Sequence, residues 1–192
     1  MTVMINACLL SLLLLLLPLT LDARPSWQQA FQAANRTHWI AEGQAKAPHA
    51  AYIIMEPNCW YCQRYYLQVK PLIAAGQLKV RWILTAFLAR DSLAKAATII
   101  QSKHPTRLLA RNERGYHSAS GEGGVIAASP PSPQAIRKIN INQQFMNHFE
   151  FTATPTTLYR SPTGKIQVIK GLISTGALRD KLGQMSGQFV YR

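Results

Sequence analysis

Acidic side chains are scarce in this chain: 8 Asp and Glu face 21 Lys and Arg, a net charge of +13 over 192 residues. The bases are scattered, as Lys79 and Arg81, Arg107 with Arg111 and Arg114, Arg137-Lys138, and Arg179 with Lys181. No run of five or more exists and no nucleic-acid motif accompanies them, so nucleic acid is not the expected partner. The charge reads as solubility and attraction to acidic partners or anionic membrane surfaces. Cysteine is also sparse, with 3 in the chain. A zinc site needs four ligands, and neither a second Cys-x-x-C nor a His-x(3–5)-His pair is present, so no metal and no other cofactor is expected. Internal repeats and a domain boundary are missing too. The length and the 48% apolar content suit one domain with its own core.

Long apolar runs are limited to the amino terminus. Leu9 to Leu17 is apolar apart from Ser11, and Pro18 closes the run. That is short of the about 20 residues that span a bilayer. Residues 1–23 therefore read as a signal peptide cut after Leu21-Asp22-Ala23, with residues 24–192 as the mature domain. Two features fit less well: the first eight residues carry no Lys or Arg, and position 21 is Leu rather than a small residue. An uncleaved anchor is the rival reading; after cleavage no stable membrane anchor is expected. Cleavage removes Asp22 and no base, leaving 21 basic and 7 acidic groups, net +14. It also removes Cys8, so Cys59 and Cys62 remain as the thiols of an exported protein in an oxidising compartment.

Those two cysteines sit in Glu56-Pro57-Asn58-Cys59-Trp60-Tyr61-Cys62. The stretch follows the apolar run Ala50 to Met55, which reads as a buried strand, and opens Gln63 to Ala75, which reads as a helix ended by Gly76. Cysteines two residues apart at the start of a helix after a strand make a redox motif. Unpaired N–H groups and the positive end of the dipole favour a thiolate there. Such sites lower a thiol pKa from about 8.5 to roughly 3.5–7.5. Cys59 is then expected to be an exposed nucleophile, and Cys62 the thiol that resolves the mixed disulfide. A structural disulfide and half of a metal site are the alternatives. The first is poor because so short a loop constrains the unfolded chain little. Trp60 and Tyr61 are expected near the sulfurs. Glu56 could relay a proton, but its plainer reading is a solvated turn residue.

Along the rest of the chain, Ser26 caps a short helix to Arg36, and Thr37 to Gly43 leads into a loop ending at Pro48, with Trp39 and Ile40 in the core. His38 and His49 read as surface polarity. Gln77 to Phe87 is a second strand, parallel to the first. Pro71 should kink or tighten the end of the intervening helix. Asp91 caps a helix to about Ser102, and Pro105 to about Arg114 forms another. Gly115 to Pro133, dominated by Gly, Ser and Pro, is a loop. A helix follows from Ser132 or Pro133 to about Phe149. Thr154-Pro155 precedes a short strand, with a trans bond as the default and a cis bond compatible with a proline at strand entry. Ser161 to Gly164 is a hairpin turn, Ile166 to Ile169 the returning strand, and Ser174 or Thr175 caps a last helix. The fold class is α/β, a mixed central sheet flanked by helices.

This layout resembles the thioredoxin superfamily, and most of all the catalytic domain of the periplasmic DsbC/DsbG disulfide isomerases, over about residues 38–185. The resemblance rests on Trp39 to Gly43, on Glu56 to Gln63 around Cys59-Trp60-Tyr61-Cys62, on Gln77 to Arg81, and on Thr152 to Thr156. It implies a thioredoxin-like fold with a helical insertion at about 91–149, and a periplasmic location. It also implies a cis Pro155 beside the cysteine pair, with Thr154 offering backbone hydrogen bonds to an extended substrate. The implied activity is thiol:disulfide exchange of reductase or isomerase type. The implied partners are unfolded or misoxidised secreted proteins and a membrane redox protein (DsbD-like or DsbB-like). Trp60 stands where that family usually has Gly or Pro, which puts the potential in question. The family also has a separate amino-terminal dimerisation domain, where this chain has only the segment from Arg24 to Pro48. A monomer or weak dimer is therefore expected. A DsbA-like oxidase and a non-catalytic envelope assembly or chaperone module with a structural disulfide are the alternatives.

Overall fold

The computed structural model describes residues 25–128 and 130–189; the expected leader over 1–23, Cys8 included, lies outside them. Strand β2 (His49–Met55) shows why the apolar run of this segment is continuous. Ala51, Ile53 and Met55 enter one core cluster, while Tyr52 and Ile54 enter another on the opposite face. A strand buried on both faces has no polar face to alternate with. Helix α2 (Trp60–Ala74) follows, and β3 (Leu78–Leu84) returns parallel to β2, pairing Ala51 with Val80 and Ile53 with Trp82. Gly76, at φ 70°, turns the chain out of α2. The helix continues through Pro71 to Ala74.

The sheet is completed on both sides. Residues 37–43, read from the sequence as a lead-in to a loop, contain a strand: β1 (Trp39–Glu42) pairs antiparallel with β3. On the other side β4 (Thr156–Arg160) pairs antiparallel with β2, and β5 (Ile166–Lys170) with β4. The order is β1-β3-β2-β4-β5. This is the mixed sheet expected.

Helix α1 (Trp27–Ala34) starts at the expected Ser26, whose side chain takes the Gln29 N–H while Gln29 reaches back to the Ser26 N–H. The insertion supplies α3 (Ser92–Gln101), α4 (Pro105–Arg114) and α5 (Pro133–His148), and α6 (Thr175–Leu182) closes the chain. α2, α3, α4 and α6 bury their apolar residues in one cluster, against Ala51, Ile53, Val80 and Trp82. α1 and the end of α5 cover Tyr52, Ile54, Ile83 and Leu158 on the other face. Asp91 occupies the N-cap position of α3, but its side chain makes no capping bond. It is ion-paired with Lys95 at 2.8 Å.

Trp82 ties α2 to the edge strand β1. It is fully buried, lies 5.4 Å from the Tyr66 ring of α2, and donates its Nε1–H to Glu42 Oε2 of the edge strand at 2.8 Å. Trp82→Ala leaves a cavity and an unpaired Glu42 oxygen, and is expected to cost about 3–5 kcal/mol in urea unfolding. A loss below about 1 kcal/mol contradicts that placement.

Candidate active site

The carboxyl ends of β2 and β3 and the amino end of α2 converge on the two thiols. Cys59 is the N-cap of α2, with extended backbone, and its Sγ accepts the Cys62 N–H at 3.2 Å. One of the helix's orphan donors thus points at sulfur. The Cys59 thiol reaches the Thr154 carbonyl oxygen at 3.4 Å. The Thr154-Pro155 peptide is cis, as the resemblance implied. Its loop is held by the Pro155 carbonyl, which accepts the Gly171 N–H at 2.7 Å, and by Thr156 Oγ1, which donates to the Ala153 carbonyl at 2.7 Å.

Cys59 is not the exposed group expected from the sequence: it is only 4% exposed, and Cys62 is fully buried. The Thr154-Pro155 loop lies against the first sulfur, and Cys62 is a turn deeper in the helix. What is exposed is the intervening pair. Trp60 and Tyr61 stand out at 41% and 56%, edge to face with centroids 5.2 Å apart, and the Arg64 guanidinium lies 5.1 Å from the Trp60 ring. The structure therefore brings Cys59, Cys62, Thr154 and Pro155 together, and sets Trp60 and Tyr61 as a rim.

The two thiols differ in acidity. The hydrogen bond from the Cys62 thiol, helped by the Thr154 side chain and the Cys62 N–H, lowers the Cys59 thiol to about 7 against the opposing effect of burial. Burial, and then the hydrogen bond it gives to Cys59, push Cys62 well above the usual thiol range. Near neutral pH Cys59 is therefore the thiol of the pair that ionises, while Cys62 keeps its proton.

Sequence reasoning missed the supports of this loop. Glu56 is fully buried, not a solvated turn residue; its Oε2 accepts the Asn58 N–H at 2.7 Å, and burial raises its pKa. The correction has a physical reason, since β2 runs inside the sheet to Met55 and Glu56 turns inward under its own loop. Asn58 is the hub. Its Nδ2 donates to Asp91 Oδ1 at 2.8 Å and to Ser92 Oγ at 3.0 Å, and its Oδ1 accepts from Lys95 Nζ at 3.0 Å and from the Gly123 N–H at 2.9 Å. Asn112 Nδ2 donates to the Pro57 carbonyl at 2.8 Å. A Cβ on Gly123 would meet the Pro57 oxygen and Asn112 Oδ1 at 2.3 Å, so that approach requires glycine. The Gly115–Pro133 segment is thus irregular, as expected, yet part of the site. The one signal available was the Gly-rich stretch ending at Gly123-Gly124, which a close backbone approach demands.

Among the described residues no group of three or more His, Cys, Asp or Glu could hold a metal ion, and no helix is long and apolar enough to cross a membrane.

A thiol at a helix start beside a cis-proline loop, on a five-stranded mixed sheet, defines the class: a thioredoxin-like fold carrying a Cys-x-x-C pair. No protein-family model matches the chain. Its sequence is DsbG-like. It is 32% identical to the thiol:disulfide interchange protein DsbG of Pseudomonas aeruginosa over 162 residues, 84% of this chain and 60% of that protein. The Escherichia coli DsbG is 26% identical over 148 residues, 77% of this chain and 58% of that protein. The chain thus spans about 60% of the length of the curated relatives it matches. The catalytic domain of Proteus mirabilis ScsC shares the fold at TM-score 0.62 and 12% identity, over 82% of this chain and 97% of that one. So does the thiol-disulfide exchange protein alpha-DsbA2 of Wolbachia pipientis, at TM-score 0.56 and 14% identity, over 81% and 94%.

Two measurements check this geometry. Thiolate absorbance of the reduced protein should rise in one step centred near pH 7 and stay flat above it until Cys62 ionises. Alkylation of Cys59 should accordingly fall about tenfold per pH unit below that step and level off above it. A step near pH 9 contradicts the assignment. Asn58→Ala leaves the Gly123 N–H without its acceptor and takes from the Lys95 amine one of its two partners, and should cost about 1–3 kcal/mol in urea unfolding.

Proposed function

We propose that this protein is an exported thiol:disulfide oxidoreductase acting on cysteines of secreted or envelope proteins, of reductase or isomerase type. The observation that carries the reading is the Cys59 sulfur, held between the Cys62 N–H and the Thr154-Pro155 loop with its thiol lowered to about 7. The Cys59 thiolate attacks one sulfur of a client disulfide, forms the mixed disulfide and releases the other client sulfur as a thiolate. Cys62 then loses its proton and attacks Cys59 Sγ, which frees the first client sulfur and leaves a Cys59–Cys62 disulfide. A thiolate of a membrane redox partner returns the pair to the dithiol by the reverse sequence. No cofactor enters either half.

Thr154 and Pro155 form the floor on which an extended client segment lies beside Cys59, and Trp60 with Tyr61 forms an aromatic wall at its edge. The net positive charge attracts acidic clients to the molecule by its long-range field. Support for reductase or isomerase type comes from the similarity to the DsbG proteins of two bacteria. Residues 1–23 would be the export signal and the periplasm the compartment.

Cys59→Ser should abolish insulin reduction and reshuffling of scrambled ribonuclease while the fold, read by circular dichroism, persists. Cys62→Ser should instead accumulate the mixed disulfide, visible as a client-sized mass increment lost on adding dithiothreitol. Normal turnover in Cys59→Ser sinks the proposal.

A further inference from the structure

Helix α4 of the insertion shows a single side-chain type to solvent. Its exposed residues are Arg107, Arg111 and Arg114, and the rest of the helix is buried or half-buried. Spacings of four and three place the three guanidinium groups along one ridge, about 10 Å from first to last at 1.5 Å per residue. Lys103 and His104, exposed just before the helix, extend it. Nothing on the helix offsets this charge. Its one acid, Glu113, is fully buried, and both salt bridges found among the described residues lie elsewhere, Lys70–Glu42 and Lys95–Asp91. Like charges four apart on a helix repel, whereas a glutamate there would have made a favourable pair. A face that carries one sign of charge at a local cost is suited to a partner of the opposite sign.

The adjoining face narrows the partner's chemistry. α4 lies beside α2, and both belong to the layer over one face of the sheet, so their outer surfaces adjoin. Arg114 is close enough to Tyr66 of α2 to act on its pKa. The exposed residues of α2 are Trp60, Tyr61, Arg64, Leu67, Pro71 and Ala74, again at spacings of three and four. That stripe is apolar or aromatic apart from Arg64, and Leu67 is 43% exposed. Arginines beside apolar and aromatic side chains suit an anionic membrane surface, with guanidinium groups on lipid phosphates and apolar tips at the headgroup boundary. An acidic protein segment would engage the arginines and leave the apolar stripe uncovered.

We propose that the joined outer face of α2 and α4 docks reversibly on anionic membrane surfaces. Each basic group near such a surface strengthens binding about fivefold, so the ridge gives a weak, salt-sensitive attachment rather than an anchor. Cys59 caps the start of α2, so the docked molecule holds its thiols next to the bilayer. The inference goes beyond the exchange activity and does not rest on it.

Co-sedimentation with vesicles of phosphatidylcholine, with and without phosphatidylglycerol, tests it. The wild type should bind the anionic vesicles and not the neutral ones, and about 1 M salt, with a Debye length of about 3 Å, should release it. Arg107→Gln combined with Arg111→Gln should weaken binding about 25-fold, with the fold read by circular dichroism unchanged. The control is Lys165→Gln with Lys170→Gln, which removes the same charge at the β5 edge of the sheet, opposite the β1 edge that α4 lies against. It should change binding less than about twofold, since charges further away than a Debye length are screened. Equal weakening by the two double variants would reduce the effect to net charge and overturn the assignment to this face. Failure of the wild type to bind anionic vesicles overturns the proposal outright; binding of poly-glutamate in that case would mark an acidic protein as the partner. Insulin reduction in free solution should be the same for the α4 variant and the wild type, so absence of exchange bears on the activity proposed above and leaves the docking result standing.

Discussion

One contact between a backbone N–H and a sulfur organises the reactive end of this molecule: the Cys62 amide donating to Cys59 Sγ across the first turn of α2. It exists because Cys59 is the N-cap, with extended backbone, and its side chain does what a serine or aspartate does at an ordinary cap. An acceptor with charge is favoured at that position, so the cap adds to the acidity of Cys59 that the Cys62 thiol chiefly sets. The sheet supplies the geometry. β2 ends at Met55, the parallel β3 braces it, and antiparallel β4 begins directly after cis Pro155. The Thr154 carbonyl is thereby brought to 3.4 Å from the same sulfur.

The helical insertion supplies the other half of the site. It does not cover the sulfurs from outside; it holds the loop that carries them from behind. Asn58 has both ends of its amide occupied by insertion residues, and Asn112 grips the Pro57 carbonyl. The same packing buries three ionisable groups, Glu56, Lys95 and Glu113, close to the dithiol. Among the described residues, Lys95 is the one of the three with an ionic partner. A sheet-and-helix scaffold lacking the insertion would have none of these contacts.

Much of this was legible in the sequence wherever the signal is local. The continuous apolar run of β2, the caps Ser26, Ser132 and Ser174, and the Cys-x-x-C at a strand-to-helix junction all carry their structure within a few residues. β1 was missed because a four-residue edge strand, half in solvent, has too little alternation to register. Asp91 fails as a capping group because Lys95 and Asn58 claim its carboxylate, a competition that only the folded chain sets up. Glu56 and Glu113 look like ordinary surface acids, the latter amid Arg111, Asn112 and Arg114, and tertiary packing alone makes them interior. Cys59 was expected to be exposed because reactive thiols must be reached; it is instead recessed behind an exposed Trp60–Tyr61 rim.

The reduction potential of the Cys59–Cys62 pair, measured by equilibration with glutathione, tests the account most directly. A helix-capping thiolate stabilises the dithiol form, and the account predicts a potential between about −120 and −200 mV, in the range of exchange catalysts. A value below about −300 mV would mark a structural disulfide and contradict it.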